Sequence, residues 1–134
     1  WLLGAWIKLG QRLEAKGLTI VLSGGKGEEA LTAACNPGGR WLNLAGRLDL
    51  AQVWHLLAGA RLLVAPDTGV AHLAKLTGTP TIALFGAGPT PLYARGEYFR
   101  HQPFYCAVLD ELPARPQNSL FKRAFPWLPA ISAT

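Results

Sequence analysis

The chain of 134 residues is long enough for one domain with its own core, and 50% hydrophobic against 16% charged residues excludes a disordered polypeptide. No stretch approaches the ~20 uninterrupted apolar residues of a membrane-spanning helix, and no signal-peptide pattern is present. The net charge of +5 is scattered, so it admits a phosphate-bearing or anionic partner without naming one; Cys35 and Cys106 call for neither a disulfide framework nor a metal site, which makes a reducing compartment the default.

Leu3, Trp6, Ile7, Gly10 and Leu13 recur at helical spacing, and Gly17 ends that helix. The chain opens on Trp1, within the approach to this helix, and so reads as a piece of a longer protein. Residues 18–22 form a short apolar run, expected as a buried strand. The loop 23–27 leads to a second helix over 28–35, stopped by Asn36-Pro37-Gly38-Gly39, and 41–44 reads as another strand. Asp49 and Gln52 have the spacing of a capping box, ahead of the apolar stripe Leu50, Val53, Trp54, Leu57 and Ala58. Residues 62–65 are a third strand and Pro66-Asp67-Thr68-Gly69 a turn. Val70, Leu73, Ala74 and Thr77 mark a fourth helix, closed by Gly78 with Pro80 beyond it; 81–85 are a fourth strand, ending in the Gly- and Pro-rich loop 86–91. Past residue 95 the pattern lapses. That stretch holds five of the ten prolines; 101–109 reads as an added edge strand and the rest as a wrapping tail. The expected organisation is therefore a domain over 1–95 followed by a Pro-rich tail over 96–134.

Strands that alternate with helices favour parallel pairing through crossover helices, hence an α/β fold with a doubly wound parallel sheet. Right-handed crossovers place every strand-to-helix loop on one edge, where ligands bind. The loops 23–28, 45–49, 66–69 and 86–91 are expected to converge there.

Two of these loops have the chemistry of a nucleotide site. Asp67-Thr68-Gly69-Val70-Ala71-His72 follows a strand and opens a helix, whose first N–H groups and positive dipole end suit phosphate. Gly69, without a Cβ, lets an oxygen approach the main chain, and Thr68 adds a hydroxyl. Asp67 would repel phosphate and should point to sugar hydroxyls or cap the helix. The plainer reading is that Asp67 or Thr68 only caps a structural helix. His72 lies roughly 200° round the helix from Val70, away from the face Val70 packs on the sheet; Leu76 shares its side, so that face could equally be buried. The other loop is Ser23-Gly24-Gly25-Lys26-Gly27-Glu28. Gly25, Gly27 and Ala30 match the G-x-G-x-x-A dinucleotide fingerprint, although the acidic residue expected at the end of the next strand is missing. Glu28 could accept ribose hydroxyls or merely favour the helix dipole. No triad, paired-carboxylate or zinc-ligand spacing occurs, and the basic and aromatic residues of 95–123 match no nucleic-acid motif, so no nucleic-acid partner is expected.

In order along the chain, Leu22-Ser23-Gly24-Gly25 with Glu28, Asn43-Leu44-Ala45-Gly46 with Leu50 and 56–60, Asp67-Thr68-Gly69 with His72, and Pro80 with Leu84-Phe85-Gly86 resemble the C-terminal domain of the lipopolysaccharide heptosyltransferases, glycosyltransferase family nine. The resemblance covers roughly residues 1–95. It implies the C-terminal half of a GT-B glycosyltransferase, a Rossmann-like domain that binds a nucleotide-diphosphate sugar, typically ADP-heptose. It also implies inverting transfer to lipopolysaccharide or a similar lipid-linked acceptor without metal or cofactor, in the cytoplasm, with peripheral contact at the inner face of the inner membrane.

By the same resemblance Thr68, Gly69 and Val70 would cradle the diphosphate, Asp67 would contact the sugar, and His72 would support catalysis close to the phosphates. Ser23, Gly24, Gly25 and Glu28 would form the nucleoside side, Glu28 on the ribose, with Leu48 near the base. The catalytic base belongs to the family's N-terminal domain, and a phosphate-binding lysine lies just before the segment resembling Trp1; without them this stretch alone is expected to be inactive. Two other readings stay open at this point, an NAD- or FAD-binding oxidoreductase domain and a non-catalytic nucleotide-binding module.

Overall fold

The computed structural model describes residues 2–66, 68–85 and 105–109. The chain divides into two compact units, Trp1–Val53 and Trp54–Thr134. Every strand pairing in the described residues is parallel.

The first unit carries α1 (Leu3–Glu14), β1 (Val21–Leu22), α2 (Glu29–Ala34) and β2 (Leu42–Asn43). β1 pairs with β2 in the register Val21 to Leu42 and Leu22 to Asn43. The ladder outlasts the two-residue strands: Leu42 N–H donates to Ile20 O at 3.3 Å and Leu44 N–H to Leu22 O at 2.8 Å. Both strands are shorter than the apolar runs 18–22 and 41–44 suggest. Leu18 and Thr19 lie outside the paired stretch, because β2 offers backbone partners only from Leu42 onward. The core of this unit centres on Trp41, 6% exposed, whose ring lies against Gly10 of α1. Asn36 fixes the backbone on either side of that ring: its Nδ2 donates to Trp41 O at 2.8 Å and its Oδ1 accepts Trp41 N–H at 3.0 Å. The Asn36-Pro37-Gly38-Gly39 stop is thus a turn closed by its own first side chain. The capping box forms as expected, with Gln52 N–H on Asp49 Oδ1 at 2.8 Å and Asp49 N–H on Gln52 Oε1 at 2.9 Å, at the head of α3 (Leu50–Gly59).

The second unit holds β3 (Leu63–Pro66), α4 (Gly69–Thr77), β4 (Thr81–Phe85) and β5 (Tyr105–Leu109) in the sheet order β3-β4-β5. The edge strand expected after residue 100 is β5, which pairs with β4 from Tyr105 to Leu109. Where α4 meets the sheet the buried residues of this unit are small, Ala65 on β3, Ala71 and Ala74 on α4 and Ala83 on β4, while Leu57 on α3 and Leu84 on β4 are its larger buried side chains. Methyl-sized side chains on both surfaces let α4 lie close to β3 and β4. The packing face of α4 runs through Ala71 and Ala74, while Val70 is only half-buried. On the side that Leu76 shares with His72, Leu76 is 64% exposed and His72 half-buried.

α4 ends as the sequence predicts. Gly78 takes the left-handed conformation at φ 71°, and Thr79 N–H returns to Ala74 O at 2.9 Å. Thr79 Oγ1, in a buried residue, donates to Leu57 O at 2.8 Å and ties this turn to α3. A Cβ at Gly78 would meet nothing within 4 Å, so the cost of Gly78→Ala is conformational alone. We expect it to lower stability by about 1 kcal/mol in urea denaturation, with no change in slope.

Candidate functional site

Within the first unit, two of the expected loops meet at the carboxyl ends of β1 and β2. Gly46 N–H donates to Gly24 O at 3.0 Å, joining the β2–α3 loop to the β1–α2 loop. Glu28, at the N-cap of α2, folds back so that Oε2 accepts Gly25 N–H at 2.6 Å. A Cβ on Gly24 would lie 2.9 Å from that oxygen and 3.2 Å from Glu28 Cβ, so glycine is what lets Glu28 close over the loop. Glu29 acts in parallel: its Oε2 accepts Gly27 N–H at 2.7 Å. Asn43 adds a third tie, with Oδ1 accepting Ala45 N–H at 3.1 Å and Nδ2 donating to Thr32 Oγ1 at 3.2 Å. Ser23 and Gly25 are exposed on this edge, and Leu48 is half-buried in the second loop.

This geometry bears on the dinucleotide fingerprint. A pyrophosphate at G-x-G-x-x-A would need the amides of Gly25 and Gly27 as donors. Both are taken by carboxylates of the same loop. A phosphate there would have to displace two charge-assisted bonds and sit beside two negative charges. The loop suits hydroxyl donors, such as a ribose diol, far better than phosphate oxygens.

The helix start that the sequence offers to phosphate lies in the second unit. β3 ends at Pro66, and Thr68 precedes α4 in extended conformation at φ −146° and ψ 168°. Its side chain does not cap the helix; Oγ1 donates instead to Pro66 O at 3.3 Å. Of the two residues that could cap the helix, Thr68 does not do so, and Asp67 lies outside the described residues. Among the described residues the N–H groups of Gly69 and Val70 have no acceptor, and the first amide to turn back is Ala71 N–H on Thr68 O at 3.0 Å. Gly69 is exposed, and a Cβ built on it would meet nothing within 4 Å. Among the described residues, the nine-residue helix α4 thus opens with two unpaired donors and its dipole's positive end. His72 is half-buried in the first turn. Asp67 and the loop 86–91 lie outside the described residues.

Sequence reasoning did not single out Glu29, Gly46 as its neighbour, or the pairing of Asn43 with Thr32. Only the Asn43-to-Ala45 bond has a local signal, an Asn side chain reaching the amide two residues on. No group of three His, Cys, Asp or Glu residues capable of holding a metal occurs among the described residues. Both cysteines are free thiols, and burial pushes the Cys35 thiol up from its ordinary value, which disfavours thiolate chemistry there. No described helix is long and apolar enough to cross a membrane.

The sequence profile of glycosyltransferase family 9 (heptosyltransferase) matches residues 1–105. The chain is 35% identical over 111 residues to lipopolysaccharide heptosyltransferase 1 of Pseudomonas aeruginosa, covering 80% of this chain and 31% of that protein. It is 31% identical to lipopolysaccharide heptosyltransferase 1 of Salmonella typhimurium, covering 90% of this chain and 38% of that one. The chain thus spans about a third of the length of these relatives. Among solved structures it is similar to a family 9 glycosyl transferase from Veillonella parvula, with a TM-score of 0.70, 18% identity and coverage of 82% of this chain and 31% of the other. It is likewise similar to E. coli ADP-heptose lipopolysaccharide heptosyltransferase II, with a TM-score of 0.69, 22% identity and coverage of 82% and 33%. The α/β fold with parallel strands is that of the GT-B enzymes these structures represent, as the motifs implied. With a parallel α/β frame, an open helix start after β3 and the ordered motifs all in place, this chain belongs to glycosyltransferase family 9, the heptosyltransferase family.

Proposed function

We propose that this chain is the donor-binding part of a heptosyltransferase-like glycosyltransferase. It takes a nucleotide-diphosphate sugar, ADP-heptose by kinship with its relatives, and serves transfer to a lipopolysaccharide core or a similar lipid-linked acceptor. The observation that carries this is the start of α4, where among the described residues the Gly69 and Val70 amides have no acceptor and a Cβ at Gly69 would meet nothing within 4 Å. A leaving diphosphate gathers negative charge as the glycosidic bond to the donor breaks. Fixed N–H donors and a helix dipole aimed at that charge stabilise it without reorganising, and this kind of preorganisation is usually the largest catalytic term. Thr68, Gly69 and Val70 hold the phosphates, Asp67 contacts the sugar, and His72 supports the phosphate end.

Glu28 receives the ribose hydroxyls, with Ser23, Gly24 and Gly25 shaping its loop and Leu48 near the base. The reaction inverts the anomeric centre by in-line attack of an acceptor hydroxyl and needs no metal, with the general base supplied by the other half of a GT-B enzyme. The work is done in the cytoplasm, at the inner face of the inner membrane where a lipid-linked acceptor is reached.

Calorimetric titration of the chain with ADP, UDP and NAD tests this. ADP should bind best. Glu28→Ala should weaken it about 10- to 100-fold, because a carboxylate hydrogen bond contributes roughly 1.5–3 kcal/mol. A clear preference for NAD that Glu28→Ala leaves untouched would instead point to the oxidoreductase reading and end this one.

A further inference from the structure

We infer that Glu29 is a positioning residue for nucleoside binding: seated on Gly46 and bonded to the Gly27 amide, it holds the β1–α2 loop in register with the β2–α3 loop. This rests on the proposed donor site, since it explains how Glu28 and Leu48, on different loops, come to face one nucleoside. Glu28 cannot set its own position. Its Oε2 bond to Gly25 N–H closes only a local turn. The relation between the two loops is set by the Gly46-to-Gly24 backbone bond and by what stands against Gly46.

What stands there is the Glu29 carboxylate. A Cβ on Gly46 would run into Glu29 Oε1 and lie 2.9 Å from its Cδ and 3.2 Å from its Cγ. Gly46 also holds φ at +70°, a conformation that side-chain-bearing residues rarely adopt. The backbone angle calls for glycine at 46, and the Glu29 side chain lies where a Cβ at 46 would stand. The other carboxylate oxygen, Oε2, accepts Gly27 N–H at 2.7 Å. One exposed side chain thus reaches both loops: it is bonded to one and wedged against the other. Among the described residues no lysine or arginine pairs with Glu29, and the strut works by shape and by hydrogen bonding to the main chain.

The test is a double-mutant cycle on the full chain with Glu29→Ala and Gly46→Ala, read by ADP affinity, pyrophosphate affinity and the backbone amide resonances of Gly27 and Gly46. Glu29→Ala should weaken ADP about 5- to 30-fold and leave pyrophosphate, which engages only the start of α4, within twofold. General loss of structure would lower both. Glu29→Gln keeps an oxygen for the Gly27 amide and should restore most of the ADP affinity. The double variant should be no weaker than Gly46→Ala alone, because removing Glu29 removes the obstacle a Cβ meets. Additive losses, or wild-type ADP affinity in Glu29→Ala, overturn the proposal. If the wild-type chain takes up no ADP, the donor-site reading fails by itself and the amides decide the strut: Glu29→Ala must shift Gly46 as well as Gly27, and a shift confined to Gly27 overturns it.

Discussion

Replacing Trp41 with alanine is expected to remove about 3–5 kcal/mol of stability, a large part of what a domain of this size has. The indole is 6% exposed and lies against Gly10, the buried residue of α1. Relaxation into the hole is restricted, because Asn36 clamps the backbone N–H and C=O of residue 41. The cost should therefore sit at the upper end for a large-to-small change. Urea denaturation followed by far-UV circular dichroism measures it, and a loss under 1 kcal/mol would mean the ring is not the core of this unit. Two companions sharpen the result. Trp41 Nε1 is buried without a hydrogen-bond partner among the described residues. Trp41→Phe sheds that orphan donor while keeping most of the ring, so it should cost far less than alanine. Gly10→Ala would push a Cβ into the ring, with Cζ3 at 2.8 Å and Cζ2 at 2.9 Å. Overpacking of that kind costs about 1–3 kcal/mol, more than the roughly 1 kcal/mol that alanine gains as a helix former.

Gly69→Ala should separate binding from folding in the opposite way. In the free protein a Cβ at Gly69 meets nothing within 4 Å, so stability should stay level or rise slightly. With a diphosphate present the same methyl stands where an oxygen must approach the amides. Losing one or two charge-assisted bonds of roughly 1.5–3 kcal/mol should weaken ADP at least tenfold and up to several hundredfold. Pyrophosphate should suffer the same loss, in contrast to Glu29→Ala, which acts on the nucleoside side. Calorimetry paired with urea denaturation reads both quantities on one sample. Unchanged ADP affinity would remove the start of α4 from the site and with it the main support for the donor-binding reading.

The elements that sequence predicts best are those whose cause is local. The Asp49–Gln52 box links residues three apart, and both of its bonds are present. Gly78 follows the last periodic residue of α4 and takes the left-handed cap that only glycine adopts without strain. The alternation of strand and helix was enough to require parallel pairing, because a crossover helix permits little else. Strand length was less legible: Leu18 and Thr19 are as apolar or β-prone as Val21, yet lie outside β1, since strand identity also needs a partner at the right height. The packing face of α4 was legible in part, since the periodic set contains Ala74 but not Ala71. Periodicity weighs large residues such as Val70 and Leu73, whereas the contact with the sheet is made through Ala71 and Ala74.

By itself, the order of residues determined the fold class, the Asp49–Gln52 box and the Gly78 cap, the family and the position of a helix start at Thr68 and Gly69, because each follows from neighbours a few residues apart or from motifs in sequence. Only the tertiary structure decided which acid bonds which amide in 24–29, and that Glu29 lies against Gly46. Adjacent glutamates are equivalent in a sequence. They become different when parallel pairing of β1 with β2 brings Gly46 against one of them and leaves the other over Gly24.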